Sequence, residues 1–304
     1  MSLRIGTSGW NYPSGQGTWN GIFYPAASDR GSGFDELRFY AERFNTVEVN
    51  STFYGQPRRN VSLSWVNRTP PGFAFAVKLY QKFTHPNLTT DKSPVNADDI
   101  DAFKGGIEPL AAGQRLGPLL AQFPASFKDS PEARGYLDWL LATFRDYDVS
   151  VELRHKSWSD AATEVANLLQ AHRAAWTQID EPKFRLSIRQ DLRPNGEEGF
   201  YYMRLHGRNA RQWWDHEKSE DRYNYLYSEV ELKPFAEAIK TARAVVKQQY
   251  VYLNNHFAAQ AIADATILRH LLDEPAQAPM PAELVARYPM LEGKVATLPP
   301  SRLL

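Results

Sequence analysis

The sequence predicts an α/β chain folded as a (β/α)8 barrel of the TIM type, on three observations. Eight short apolar runs rich in Val, Ile, Phe and Tyr read as strands: LRIGTSGW, TVEVNSTFY, FAFAVKLY, LGPLLAQFP, VSVELRH, AAWTQID, FYYMRLHG and QYVYLNNH. Segments of helical period separate most of them, and a strand–helix alternation repeated about eight times specifies parallel strands arranged as a barrel. Each run carries polar or charged residues at or near its C-terminal end, where such a barrel places its chemistry. A length of 304 residues fits one domain, residues 1–304, with extended loops after the first, sixth and seventh strands.

The first strand ends at Trp10 and is followed by a loop rich in Gly, Trp, Tyr and Pro, Asn11 to Gly33. FDELRFYAERF puts Phe34, Leu37, Tyr40, Ala41 and Phe44 on one helical face. The second strand spans Thr46 to Tyr54, and the helix NVSLSWVNR is stopped by Pro70 and Pro71. FAFAVKLY is the third strand, Asn96 to Ala112 is helical, and Leu116 to Phe123 is the fourth strand. SPEARGYLDWLLATFRDY carries the clearest helix start, with Ser130 as N-cap, Pro131 in the first helical position and Glu132 in the first turn. The fifth strand covers Val149 to His155, the helix ATEVANLLQAH follows, and the sixth strand covers Ala174 to Asp180.

Glu181 to Gly199, with Pro182, Pro194 and Asn195-Gly196, lacks a helical period, so the sixth helix is expected to be missing. FYYMRLHG is the seventh strand, and the loop after it holds Trp213, Trp214, Tyr223, Tyr225 and Tyr227. A helix over Glu229 to Lys247, the eighth strand to His256 and the helix AAQAIADATILRHLL complete the alternation. The Pro-rich tail, residues 275–304, is expected on the surface.

Composition narrows the function classes. The 35 basic and 35 acidic side chains cancel, so net charge lends no support to a nucleic-acid or membrane-surface partner. With no cysteine, disulfides, thiolate nucleophiles and Cys-based metal sites are excluded. No apolar run reaches the ~18–20 residues of a membrane span, and Leu3 already lies in a strand, so the expected location is cytoplasmic.

Side chains alternate faces along a strand. The apolar set (Val47 and Val49, Phe75 and Val77, Val151 and Leu153, Met203 and Leu205) should face the helices. The opposite set then converges Glu48 and Asn50, Lys78, Glu152 and Arg154, Tyr202, Arg204 and His206. Ser8 and Trp10, Gln122, Asn254 and His256 join them, as does the face shared by Trp176, Gln178 and Asp180. A barrel built for stability alone would fill this space with Val, Ile and Leu. The alternative to a ligand site is a buried ion-pair network, for example Glu48 with Lys78.

GTSGWNY with a following FYP, VEVNSTFY, FAFAVK with Thr84-His85, LLAQFP, VELRHKSW, YMRLHGR, YNYLYS and YLNNH, in this order, resemble the signature blocks of the YecE-like family, domain of unknown function 72. The resemblance covers nearly the whole chain. It implies a TIM-type barrel of unassigned activity and carries over no catalytic residue. The chain departs from the family pattern in an inserted-looking GQG, Gly15 to Gly17, and in Ala258 and Ala259, where a small residue or glycine is expected.

Three chemistries fit these residues. In acid–base hydrolysis, Glu48 and Glu152 divide the roles of acid and base, and Trp10, Trp19, Tyr24, Tyr54 and Trp158 stack on sugars or bases. In metal-assisted phosphoester hydrolysis, Glu48, Glu152 and His206, with Asp180 and His256, hold Mg²⁺, Mn²⁺ or Zn²⁺. Lys78, Arg154 and Arg204 then clamp phosphate. In the third, Lys78 forms a Schiff base, a role that pairing with Glu48 would oppose. The preferred expectation is hydrolysis of a small polar, phosphate-bearing substrate, a nucleotide or nucleic acid. Glu48, Glu152, Lys78 and His206 would be catalytic, and Asn50, Gln122, Asn254 and Asn255 would orient the substrate. A metal-free carbohydrate-active enzyme and a non-catalytic anion-binding module are the alternatives.

Overall fold

The computed structural model describes residues 2–85, 88, 93–194, 199–218 and 220–298. Its strands are β1 (Ser2–Thr7), β2 (Thr46–Val49), β3 (Ala74–Lys78), β4 (Leu116–Gln122), β5 (Val149–Glu152), β6 (Ala175–Trp176), β7 (Gln178–Asp180), β8 (Phe200–Leu205) and β9 (Gln248–Leu253). The α-helices are α1 (Glu36–Ala41), α2 (Ser51–Tyr54), α3 (Arg59–Asn67), α4 (Gln81–Thr84), α5 (Ala97–Ala112), α6 (Pro131–Thr143), α7 (Lys156–Asp160), α8 (Ala162–Ala171), α9 (Glu229–Arg243), α10 (Gln260–Leu271) and α11 (Ala282–Arg287).

The strands form two parallel sheets, ordered β1-β9-β8-β7 and β2-β3-β4-β5-β6, in a TIM-like α/β arrangement. The sheets meet at two seams. Ser8 and Glu48 form a single parallel bridge just past β1, where the Gly9 N–H donates to the Glu48 carbonyl at 2.8 Å. At the other seam only Thr177 separates β6 from β7, and its N–H donates to the Val151 carbonyl of β5 at 2.9 Å.

Side chains satisfy the first N–H groups of five helices, α1, α5, α6, α7 and α9. Ser130 caps α6 by accepting from the Ala133 N–H, as its sequence predicts. Asn96 with Asp99 and Ser228 with Glu231 form capping boxes on α5 and α9. No helix lies between β7 and β8 among the described residues, as the prolines there predict. The Asn195-Gly196 turn lies outside the described residues.

Several strands end earlier than the apolar runs suggest. The second ends at Val49, and Ser51–Tyr54 turns into α2. The first ends at Thr7, after which Gly9 adopts a φ of 86°, in the left-handed region that favours glycine.

Val47, Val49, Phe75, Val77, Val151, Leu153, Met203 and Leu205 all lie in the main core, on the helix side of the sheets. The opposite face holds a second cluster of Ala74, Ala76, Leu120, Ala175, Phe200, Tyr202, Tyr250 and Tyr252. Small side chains on β3 and β6 leave room for rings from β8 and β9, and Tyr202 packs 5.2 Å from Tyr252 and 6.3 Å from Tyr250. This tyrosine layer fills the space beneath the polar residues.

Candidate functional site

A charged layer lies directly on the tyrosines. Glu48 from β2 and Glu152 from β5 are fully buried, and the Arg204 guanidinium from β8 lies between them. One Arg204 nitrogen donates to Glu48 at 2.7 Å and another to Glu152 at 2.5 Å. Ser8 Oγ and the Tyr202 hydroxyl also donate to Glu48, at 2.8 and 2.7 Å. Arg154 donates to Glu152 through Nε at 2.8 Å, and its Nη2 lies 2.6 Å from the same oxygen. Alternation places all these side chains on the face away from the helices, as expected from sequence.

This arrangement sets the charge states. Burial alone would raise the Glu152 carboxyl, but the cations of Arg204 and Arg154 and its contact with His206 hold it well below the usual carboxylate range. Burial pushes His206 down to about 3 despite Glu152, so its ring is neutral. Asn254 Nδ2 lies 2.8 Å from His206 Nδ1, and Nε2 lies 3.3 Å from Arg154 Nη2 and 3.4 Å from Glu152.

Lys78 stands apart. Its Nζ donates to Gln122 Oε1 at 2.7 Å and lies 4.0 Å from the centre of the Phe53 ring. Among the described residues no carboxylate pairs with it, so the expected Glu48–Lys78 pair is replaced by Glu48–Arg204. Burial and Arg204 lower its amine to about 7, against the pull of Glu152 and Glu48.

Above this layer a cavity of about 630 Å³ opens among the loops that follow β3, β4, β5, β7 and β8. Gln122 and Arg154 form its floor. Lys128 and Arg222 add two cations, Phe184, Trp213 and Trp214 supply aromatic wall, and Glu181 is the single acid among the lining residues. Burial raises the Glu181 carboxyl although Arg154 Nη1 lies 3.3 Å away. His85 lines the same cavity, and burial together with Lys78 lowers it to about 4.

Sequence reasoning missed Glu181. It lies in phase with Ala175 and Thr177, whose side chains face inward: Ala175 joins the tyrosine cluster and Thr177 Oγ1 lies 2.6 Å from Ser150 Oγ. The other face, expected to point inward, does not. Trp176 and Gln178 line a groove against α8, and Asp180 is held by Arg208 at 2.8 and 3.0 Å and by the Tyr227 hydroxyl at 2.6 Å. The phase is hard to read because the inward Ala175 and Thr177 are small, while Gln178 and Asp180, which point outward, are polar.

Other candidates also fall outside the cavity. Trp158, Trp19 and Tyr24 are fully buried or nearly so; Trp158 donates to the Phe127 carbonyl at 2.8 Å and stacks on that ring. Beyond Gly9, Trp10 turns outward and packs on Trp65 and Phe75, at 5.6 and 6.3 Å. Tyr54, carried out by α2, is 76% exposed. Asn255 donates to the Tyr225 carbonyl and to Asp264, so it braces a loop. Asn50, between β2 and α2, has its Oδ1 buried and without a partner among the described residues. His256, lowered to about 3 by burial, stacks 4.2 Å from Tyr12 and does not approach the carboxylates.

Glu48, Glu152 and His206 do not form a metal centre. Arg204 occupies the space between the carboxylates, and no group of three or more His, Asp or Glu side chains suited to a metal ion occurs among the described residues. No helix among them is long and apolar enough to cross a membrane.

The Gly15–Gly17 and Ala258–Ala259 segments meet, with the Ala258 N–H donating to the Gly17 carbonyl at 3.1 Å. Gly15, with φ of 80°, and Gly17 make room for the Glu220 carboxylate, which would lie 3.0 and 3.3 Å from side-chain carbons added at these positions. Ala258 and Ala259 both take left-handed φ, 49° and 64°, the conformation in which glycine is at ease.

Comparison with known proteins gives a consistent family assignment. The profile described as "Protein of unknown function DUF72" matches residues 4–286. The protein UPF0759 YunF of Bacillus subtilis is 28% identical over 279 residues, covering 89% of this chain and 95% of that protein. The protein UPF0759 YecE of Escherichia coli K12 is 32% identical over 126 residues, 40% of this chain and 43% of that protein. A crystal structure of a DUF72 family protein from Thermotoga maritima superposes with a TM-score of 0.75 at 34% identity, covering 90% of this chain and all of that one. Another, from Enterococcus faecalis at 22% identity, shares the fold with a TM-score of 0.77 over 90% of this chain and 96% of its own.

Proposed function

The chain belongs to the DUF72 family of proteins of unknown function, and from its site we propose that it is a hydrolase of a polar, phosphate-bearing substrate such as a nucleotide. The reading takes the two sheets as the staves of one (β/α)8 barrel in a single domain, with β6 and β7 as halves of one stave. The site is then the mouth at the C-terminal strand ends.

One observation carries the proposal: three cations, Lys128, Arg154 and Arg222, face one acid, Glu181, in a cavity walled by Phe184, Trp213 and Trp214. Guanidinium groups match phosphate oxygens in fork geometry. The Nε of Arg222 is buried without a partner, so a phosphate oxygen would satisfy it. The indole and phenyl rings offer faces to a base or sugar.

The proton-transfer role belongs to Glu181. Glu48 and Glu152 have their oxygens occupied by guanidinium and hydroxyl donors and do not line the cavity. A carboxyl raised by burial and facing the cavity is suited to giving and taking a proton. Glu48 and Glu152 hold Arg204 and Arg154 in place beneath it.

Calorimetric titration with inorganic phosphate and a mononucleotide, with the protein as wild type and as Arg222→Gln, tests this. A charge-assisted hydrogen bond contributes about 1.5–3 kcal/mol, so the variant should bind at least about tenfold more weakly. Absence of wild-type binding to either ligand at millimolar concentration would sink the proposal. With a hydrolysable nucleotide ester, Glu181→Gln should keep binding and lose turnover.

A further inference from the structure

Lys78 is not accounted for by this reading. It does not line the cavity, yet its one hydrogen-bond partner among the described residues, Gln122, does, and so does His85, whose ring meets the Phe53 ring edge-on at 5.0 Å. The amine therefore lies just behind the cavity floor, between an amide oxygen and an aromatic face.

Burying an amine without a counter-charge is costly. Two carboxylates share its layer, but Arg204 and Arg154 take their oxygens. The cations that claim Glu48 and Glu152 thus leave Lys78 in surroundings that favour a free amine. A lysine kept for charge balance would face a carboxylate instead, and a lysine kept for packing could be Leu or Met.

We propose that Lys78 is a nucleophile that forms an imine with the carbonyl carbon of a phosphate-bearing substrate, an open-chain sugar phosphate or a related phosphorylated aldehyde or ketone. This rests on the phosphate-binding reading above. The Nζ lone pair attacks the carbonyl carbon. The oxygen takes the two protons that nitrogen sheds and departs as water, leaving a C=N bond. Hydrolysis of the imine returns that water and frees the amine, so no oxidant or reductant is consumed. The lowered affinity of Lys78 for a proton supplies the neutral amine this step requires.

The test is reductive trapping on the wild-type protein. Glyceraldehyde 3-phosphate is added with sodium cyanoborohydride at neutral pH, and the adduct is located by peptide mass spectrometry. Lys78 should be labelled at least about tenfold faster than any surface lysine, since an unperturbed lysine is almost wholly protonated there. Excess inorganic phosphate should suppress the labelling, and Lys78→Arg should abolish that adduct. Adducts confined to surface lysines would overturn the inference. Mapping is done on the wild type, so a variant that fails to fold does not obscure the answer. Phosphate binding without a Lys78 adduct would overturn the imine alone, and loss of both would overturn the cavity reading as well. Equal labelling of Lys78 by unphosphorylated glyceraldehyde would overturn the requirement for phosphate.

Discussion

Arg204, on the four-stranded sheet, reaches Glu48 on the five-stranded sheet at 2.7 Å, with both side chains buried to within 1%. Because it binds Glu152 as well, one guanidinium ties the two sheets together above the tyrosine layer. Removing it would strand two buried carboxylates. Arg204→Met should therefore destabilise the protein by about 3–5 kcal/mol, measured by urea unfolding at pH 7. A loss below about 1 kcal/mol would show that the carboxylates find other partners.

Asp264 on α10 provides a pH-dependent test. Burial raises its carboxyl well above its ordinary 3.8, although the Tyr227 N–H and Asn255 donate to it. The folded protein then binds a proton that the unfolded chain has released, so this group lowers stability as pH rises above about 3.8. Glu152 acts with the opposite sign: it contributes stability above its ordinary 4.5 and loses it as pH falls through its depressed folded value. The difference in unfolding free energy between the wild type and Asp264→Asn isolates the first effect. Relative to the variant, the wild type should lose stability between pH 4 and pH 8. Asp264→Ala should cost about 1–3 kcal/mol near pH 4, because it leaves buried donors unpaired, and progressively less as pH rises.

Lys78 should titrate near neutrality. Competitive acylation followed by peptide mass spectrometry should give it a midpoint of about 7. Solvated lysines should follow an ordinary midpoint near ~10.4. A Lys78 midpoint above about 9 would contradict the charge layout described for its layer.

Two tryptophans distinguish packing from recognition. Trp158 is fully buried, and Trp158→Ala should cost about 3–5 kcal/mol. Trp214 is 67% exposed on the cavity wall, and Trp214→Ala should change stability by less than about 0.5 kcal/mol. Only the Trp214 substitution should weaken mononucleotide binding, by about 0.5–1.5 kcal/mol, the contribution of one aromatic contact, as read by titration calorimetry.

Faces were legible wherever apolar and polar residues alternate sharply within a strand. Val47-Glu48-Val49 and Met203-Arg204-Leu205 leave no ambiguity, and the charged layer follows from them. The Ala174–Asp180 run misled because its inward positions, Ala175 and Thr177, are small, and its outward ones include Gln178 and Asp180. Trp10 and Tyr54 were misplaced for another reason: alternation was carried past the true strand ends at Thr7 and Val49. Which cation would claim which carboxylate depends on side-chain reach between sheets, and no local pattern encodes that. The family resemblance, read from ordered motifs, extended over the chain, whereas the cavity wall of Phe184, Trp213 and Trp214 lies in loops without periodicity.

The tyrosine layer beneath the charges has a kinetic consequence. Tyr202, Tyr250 and Tyr252 close the space below Glu48 and Glu152, so traffic to the chamber above runs through its loop side. Whatever enters between those loops must leave between them. A bound molecule should then hold that passage against the next arrival.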